Sequence, residues 1–162
     1  MSEALCHIAL GANLGDRIGA LREATRRIGQ LPETAILARS AIYETPPWGK
    51  IDQAPFANAV IAIRTGLGPK PLLDACLGIE TAMGRVRRER WGPRLIDIDL
   101  LTHGTTRMTS DRLTLPHPAI AERAFVLVPL LEIAPEFRIG RRKGRTILNQ
   151  LDQAGIVAIA PL

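Results

Sequence analysis

Asp97 and Asp99 stand two residues apart in the run Arg94-Leu95-Ile96-Asp97-Ile98-Asp99-Leu100-Leu101. Alternating charged and aliphatic residues mark a β-strand, whose side chains point to opposite faces in turn. The two carboxylates therefore share one face, while Ile96, Ile98 and Leu100 share the other and can bury. Neighbouring carboxylates repel and raise each other's pKa, a conflict that a bound divalent cation removes. Just upstream lies Gly84-Arg85-Val86-Arg87-Arg88-Glu89-Arg90-Trp91-Gly92-Pro93-Arg94, dense in guanidinium groups. An acid pair beside an arginine loop suits a magnesium–polyphosphate ligand, with oxygen ligands for the hard cation and forked donors for phosphate oxygens. The plainer alternative has one Asp capping a turn and the other pairing with an arginine, while the arginines form a solvated face. Gly84, Gly92 and Pro93 place the arginines in a loop that can move and close. There Arg85, Arg87, Arg90 and Arg94 would screen charge on a triphosphate.

Other residues with chemical potential are few. His117 lies between Pro116 and Pro118, a rigid setting foreign to a core, where it could donate a hydrogen bond to phosphate. Phe56, Asn58 and Phe125 either pack in the core or hold a flat heteroaromatic ligand, the rings stacking on it and the amide reading its edge. Trp91 is either core filler or a neighbour of an adenine. No Walker A and no Gly-x-Gly-x-x-Gly occurs, so a nucleotide site here is not a glycine cradle at a helix N-terminus. A turn followed by a helix cap accounts for Gly11-Ala12-Asn13-Leu14-Gly15-Asp16.

The elements that would position these groups follow from periodicity. Leu5 to Leu10 reads as a first strand. Asp16 is the expected N-cap of a helix whose apolar residues, from Ile18 to Ile28, recur at helical spacing until Pro32 ends it. Thr34 to Tyr43 is a second strand, Glu44 to Pro55 a long loop rich in Pro and Gly, and Phe56 to Arg64 a third strand. Pro69 or Pro71 opens a second helix running to about Met83. The arginine loop and the Asp strand complete a β-α-β-β-α-β order. That order predicts an α+β fold with a ferredoxin-like core, a mostly antiparallel sheet with helices packed on it, plus a C-terminal extension. The extension holds the loop Leu115-Pro116-His117-Pro118, a helix from Phe125 to Ile133, a basic turn from Arg138 to Arg145 and a tail to which periodicity assigns no element.

The 162 residues fit a single domain, 1–162, with a real core. No targeting or membrane-spanning segment is visible, and Cys6 and Cys76 read as buried thiols in a reducing cytoplasm. The formal charge of +5 comes almost wholly from arginine, which suits bidentate phosphate contacts. Aromatics do not alternate with the basic residues, so a stacking platform for single-stranded nucleic acid is lacking.

Taken together, these residues resemble the 6-hydroxymethyl-7,8-dihydropterin pyrophosphokinase family of folate biosynthesis. The most specific part is Arg90-Trp91-Gly92-Pro93-Arg94-Leu95-Ile96-Asp97-Ile98-Asp99-Leu100-Leu101. Supporting it are Leu10 to Asp16, Tyr43 to Gly49, Phe56 to Val60, Leu115 to Pro118 and Arg123 to Pro135. The resemblance implies transfer of the β,γ-diphosphate of ATP to the pterin hydroxymethyl group, with release of AMP. It implies that Asp97 and Asp99 hold two Mg2+ ions and that Phe56 and Phe125 sandwich the pterin. Asn58 would bond the pterin edge, and the loop carrying Thr45, Pro46 and Trp48 would line that pocket. Glu80, Arg87, Trp91, Arg94, Leu100, Arg112, Thr114, His117 and Arg123 fall where the family contacts ATP, and Arg85 and Arg94 match arginines implicated in transfer. Leu77, Pro118 and Trp48 depart from the residue types expected at their positions. The expectation is a cytoplasmic monomer acting on ATP and the pterin, with no nucleic-acid or membrane partner and with the loops at 44–55 and 84–94 closing over both substrates. Two other classes stay open at this point: a basic RNA-binding module on the same fold, and a magnesium phosphohydrolase using the same acid pair.

Overall fold

The computed structural model describes residues 2–46, 54–84 and 95–162. Strand β1 (Ala4–Ala12) leads into helix α1 (Arg17–Gly29), whose first turn is closed by Asp16 Oδ1 accepting from Gly19 N at 2.9 Å, as a capping carboxylate should. Strands β2 (Thr34–Arg39), β3 (Ala41–Thr45) and β4 (Phe56–Thr65) follow, then α2 (Pro69–Ala82), with proline in its first turn. Strand β5 (Asp97–His103) carries both aspartates. Beyond it come the hairpin strands β6 (Met108–Thr109) and β7 (Thr114–Leu115), a short 3-10 turn at Ile120–Glu122 and helix α3 (Ala124–Ile133). The hairpin strands β8 (Arg138–Ile139) and β9 (Arg142–Lys143), helix α4 (Gly144–Leu148) and strand β10 (Val157–Pro161) complete the chain.

The main sheet runs β10-β3-β4-β1-β5, with β2 also pairing with β4, and every pairing in it is antiparallel. This is the expected ferredoxin-like arrangement, enlarged by one strand. Two aliphatic layers lie on its faces. One holds Cys6, Ile8 and Leu10 of β1, Ile61 and Ile63 of β4, and Ile98 and Leu100 of β5, together with Leu21 and Ile28 of α1 and Leu72 and Cys76 of α2. The other holds Ala9, Val60 and Leu101 with Val126, Leu127, Leu130 and Leu131 of α3 and Ile147 and Leu148 of α4. Both cysteines are buried free thiols, and burial pushes Cys6 up to about 11. Among the described residues, no helix is long and apolar enough to cross a membrane.

Several local expectations differ from the structure: Glu44 and Thr45, expected in the long loop, belong to β3, and the basic turn expected from Arg138 to Arg145 is the β8–β9 hairpin running into α4. The second strand does not run unbroken to Tyr43; it divides at Ser40. Ser40 Oγ accepts from Val60 N at 2.9 Å and donates to Ala41 O, so a side chain takes the place of a ladder carbonyl there. β1 continues past Leu10, placing Gly11 and Ala12 in the sheet rather than in the turn. The tail, left without an assigned element, supplies a strand: β10 forms the sheet edge beside β3, and Arg22 of α1 donates to Pro161 O at 2.7 Å.

Candidate active site

The sheet register lines up the site. Tyr43 pairs with Asn58, Asn58 with Gly11, and Gly11 with Asp97, so these four residues form one row across β3, β4, β1 and β5. Directly paired residues share a face. Because Ile98 and Leu100 face α1 and α2, the row lies on the opposite face, the one that carries α3. In the next row Ala9 separates Val60 from Asp99. Both aspartates therefore stand beside small β1 neighbours, Gly11 and Ala9. Asp97 is half-buried and Asp99 exposed.

The β3 and β4 end of this face carries a buried polar pair. Thr45 pairs with Phe56, and Asn58 Nδ2 donates to Thr45 Oγ1 at 2.6 Å. Thr45 and Asn58 are buried, Phe56 is half-buried and Pro46 is exposed. Phe125, at the start of α3, is also half-buried, and the Arg123 guanidinium lies 5.7 Å from its ring centroid. Tyr43 donates to Glu132 Oε1 at 2.5 Å, and Glu132 also accepts from Ala41 N, so α3 is tied to β3. Burial and the Glu132 carboxylate push the Tyr43 hydroxyl up to about 12.

Beside β5, His117 N donates to Leu101 O at 2.8 Å, fixing the 115–118 segment against the strand. His117 Nδ1 accepts from Ala119 N at 3.1 Å, so the neutral ring carries its proton on Nε2 and presents it as a donor. Burial holds His117 below the usual histidine range; the charge of Asp99 opposes that shift and the charge of Arg123 adds to it. Glu80 of α2 is 4% exposed, and its Oε2 accepts from Ile98 N at 2.7 Å, satisfying an amide on the outer edge of β5. Arg112 is exposed and ion-paired with Asp74 of α2, and Thr114 is half-buried in β7. The Leu100 side chain belongs to the core layer at 3% exposure, so an ATP contact from this residue would have to come from its main chain.

Thr45, Phe56, Asn58 and Asp97 are thus brought together through the strand rows, and Asp99, His117, Arg123 and Phe125 through charge and ring proximity. Glu80, Arg112 and Thr114 belong to the flank around β5 and α2. Trp48, Arg85, Arg87, Trp91 and Arg94 lie outside the described residues. Sequence reasoning missed Gly11, which it assigned to a turn. The available signal was a glycine at the end of an apolar run, where a strand marks a close approach.

The donor set fits a hard divalent cation. Two carboxylates share one face of β5, and among the described residues no group of three or more His, Cys, Asp or Glu forms a metal cluster. Magnesium is suited to one or two carboxylates completed by water and phosphate oxygens.

Comparison with known proteins gives a family and a fold. Residues 7–135 match the family 7,8-dihydro-6-hydroxymethylpterin-pyrophosphokinase. A 2-amino-4-hydroxy-6-hydroxymethyldihydropteridine pyrophosphokinase of Methylorubrum extorquens is 50% identical over 150 residues, covering 93% of this chain and 95% of the relative. The enzyme of the same name from Bacillus subtilis is 42% identical over 132 residues, covering 82% and 79%. Among solved structures, a Plasmodium falciparum HPPK-DHPS triple mutant superposes with a TM-score of 0.74 at 15% identity, covering 92% of this chain and 43% of the other. A further HPPK-DHPS crystal structure, in complex with substrates, gives 0.70 at 16% identity, covering 91% and 43%. This chain spans less than half of each of those longer chains, and at such identity the likeness speaks for the fold alone.

Proposed function

The chain belongs to the 7,8-dihydro-6-hydroxymethylpterin-pyrophosphokinase family, and from that premise we propose how its residues carry the reaction. The activity is that of an ATP-dependent pyrophosphokinase of folate biosynthesis acting on the hydroxymethyldihydropterin. One observation supports the residue assignment above the others: Asn58 and Asp97 flank Gly11 in a single strand row. A heterocycle read by Asn58 then lies two inter-strand spacings, about 10 Å, from a polyphosphate anchored at β5.

In this reading Phe56 and Phe125 hold the pterin ring and Asn58 bonds its edge, leaving the hydroxymethyl group directed toward Asp97. Its oxygen attacks the β-phosphorus of ATP and gives up its proton to water, the bond from that phosphorus to the α,β-bridging oxygen breaks, and AMP leaves with the bridging oxygen. Such transfers rest chiefly on alignment and electrostatics. Asp97 and Asp99 are the residues that would hold magnesium, in two ions. Bound there, magnesium supplies neutralisation of phosphate charge and a lower pKa for the attacking hydroxyl. His117 donates from Nε2 to a phosphate oxygen, and its ring stays neutral while Ala119 N occupies Nδ1. Arg123 adds positive charge beside it, while Glu80 keeps the edge of β5 fixed under the nucleotide. The arginines at 85, 87 and 94, with Trp91, complete the nucleotide side, and Pro46 and Trp48 the pterin side. The chain acts as one domain and one monomer in the cytoplasm, on small molecules alone.

The test is to incubate the protein with ATP, magnesium and 6-hydroxymethyl-7,8-dihydropterin and to follow AMP, with pterin omitted as the control. Pterin-dependent AMP release is expected. Release of orthophosphate or pyrophosphate without pterin would replace this reading with a phosphohydrolase.

A further inference from the structure

Asn58 is held between two neighbours whose contribution the reaction scheme leaves unexplained. On the β3 side, Nδ2 donates to Thr45 Oγ1 at 2.6 Å, with Thr45 2% and Asn58 8% exposed. On the β1 side stands Gly11, where an added Cβ would lie 2.9 Å from Asn58 Oδ1. The next nearest atoms to that Cβ are 3.9 Å away, an ordinary contact. Gly11 is not among the glycines with positive φ, so its backbone would accept any L-residue. A glycine within a strand weakens it, and the atom nearest to the missing Cβ here is Asn58 Oδ1.

We propose that Thr45 and Gly11 are positioning residues for pterin recognition, the Thr45 hydroxyl fixing the plane of the Asn58 amide and the bare Gly11 leaving room for its oxygen. The terminal torsion of an asparagine is broad and roughly two-fold, so the amide has little intrinsic preference for one plane. A buried hydroxyl at 2.6 Å supplies that preference. With Nδ2 committed to Thr45, Oδ1 turns toward β1 and remains an acceptor. The edge of a pterin carries ring and amino N–H donors, which require such an acceptor once they leave water. The role assigned to Thr45 is thus carried by its side chain, separately from any lining of the pocket by its backbone. The inference rests on the reading that Asn58 meets the pterin.

The experiment is steady-state kinetics on Thr45→Val, Thr45→Ser and Gly11→Ala, varying pterin and ATP separately. Val keeps the shape of Thr and loses the acceptor. Its pterin KM is expected to rise about tenfold, the scale of one buried hydrogen bond, with kcat and the ATP KM within about threefold of wild type. Ser should restore the pterin KM, which a purely packing role for Thr45 would not allow. Gly11→Ala should raise the pterin KM similarly, and it answers the question even where Thr45→Val does not fold. The double variant should show less than the product of the two effects, since both disturb one amide. An unchanged pterin KM in Gly11→Ala, equal impairment of Val and Ser, or parallel increases in both KM values overturns the inference. Wild-type protein that releases no pterin-dependent AMP overturns the functional reading, and this inference with it.

Discussion

The two faces of the sheet are built from the same strands and have opposite characters. Toward α1 and α2, β1 turns Cys6, Ile8, Leu10 and Ala12, every one of them at 1% exposure or less. Toward α3, the same strand turns His7, Ala9 and Gly11. β5 repeats the contrast, with Ile98 and Leu100 on the first side and Asp97 and Asp99 on the second. A strand's period of two lets one backbone serve both purposes, and it makes the register critical, because a slip of one residue would exchange the faces. The closed face can therefore carry stability while the other carries polar groups that a core would reject.

The largest effect expected from this division is on the site face. Asp97→Ala and Asp99→Ala should each lower turnover by about a thousandfold or more, while thermal unfolding without ligands stays near that of wild type. Both side chains lie off the α1–α2 layer, so no packing is lost there. Pterin-dependent AMP formation at saturating magnesium checks the first part and calorimetry the second. Near-normal turnover in either variant would remove the metal role from that residue.

Ile61→Ala is the reciprocal change. Ile61 is fully buried on the closed face of β4, paired with Ile8 of β1. Truncation should remove about 2–5 kcal/mol of stability, read from urea midpoints, through lost burial and an unfilled cavity. Activity per folded molecule should hold within about twofold. A fall in kcat comparable with that of the Asp variants would mean that the two faces are mechanically coupled and the division is wrong.

Much of this contrast was readable in the residues. Alternation placed Asp97 and Asp99 on one face, Asp16 announced the cap of α1, and the element order gave the sheet. What escaped was set by partners distant in sequence. Gly11 acquires its meaning only from Asn58, 47 positions on, and the Thr45 hydroxyl only from the same amide. Ser40 breaks a strand because Val60 offers it an amide. β10 is a short apolar tail until β3 supplies an edge. Leu100 matched a family nucleotide position, yet the alternation that exposes Asp99 also buries it. Pairing sets such features, and periodicity within a single segment does not contain it.

The smallest effect tests whether the two polar populations on the site face are separate. His7 shares that face with Asp97 but lies at the other end of β1, paired with Thr102. Its Nδ1 lies 2.9 Å from Thr102 Oγ1, and its ring meets Phe137 edge-on at 5.7 Å. Burial holds it below the usual histidine range. The unfolded chain therefore takes up a proton at His7 near its ordinary pKa of about 6.5, while the folded chain resists doing so. The stability this supplies is complete above that pH and is lost as the pH falls toward the depressed folded value. Urea midpoints should decline on acidification from pH 8 to pH 5, and the decline should be shallower in His7→Asn, which keeps a polar partner for Thr102. His117, also depressed, contributes in the same direction. Because His7 stands off the Asn58–Gly11–Asp97 row, the variant's pH profile for kcat should overlay that of wild type. A shifted kcat profile would join His7 to the site, and identical stability slopes in the two proteins would remove its role in acid sensitivity.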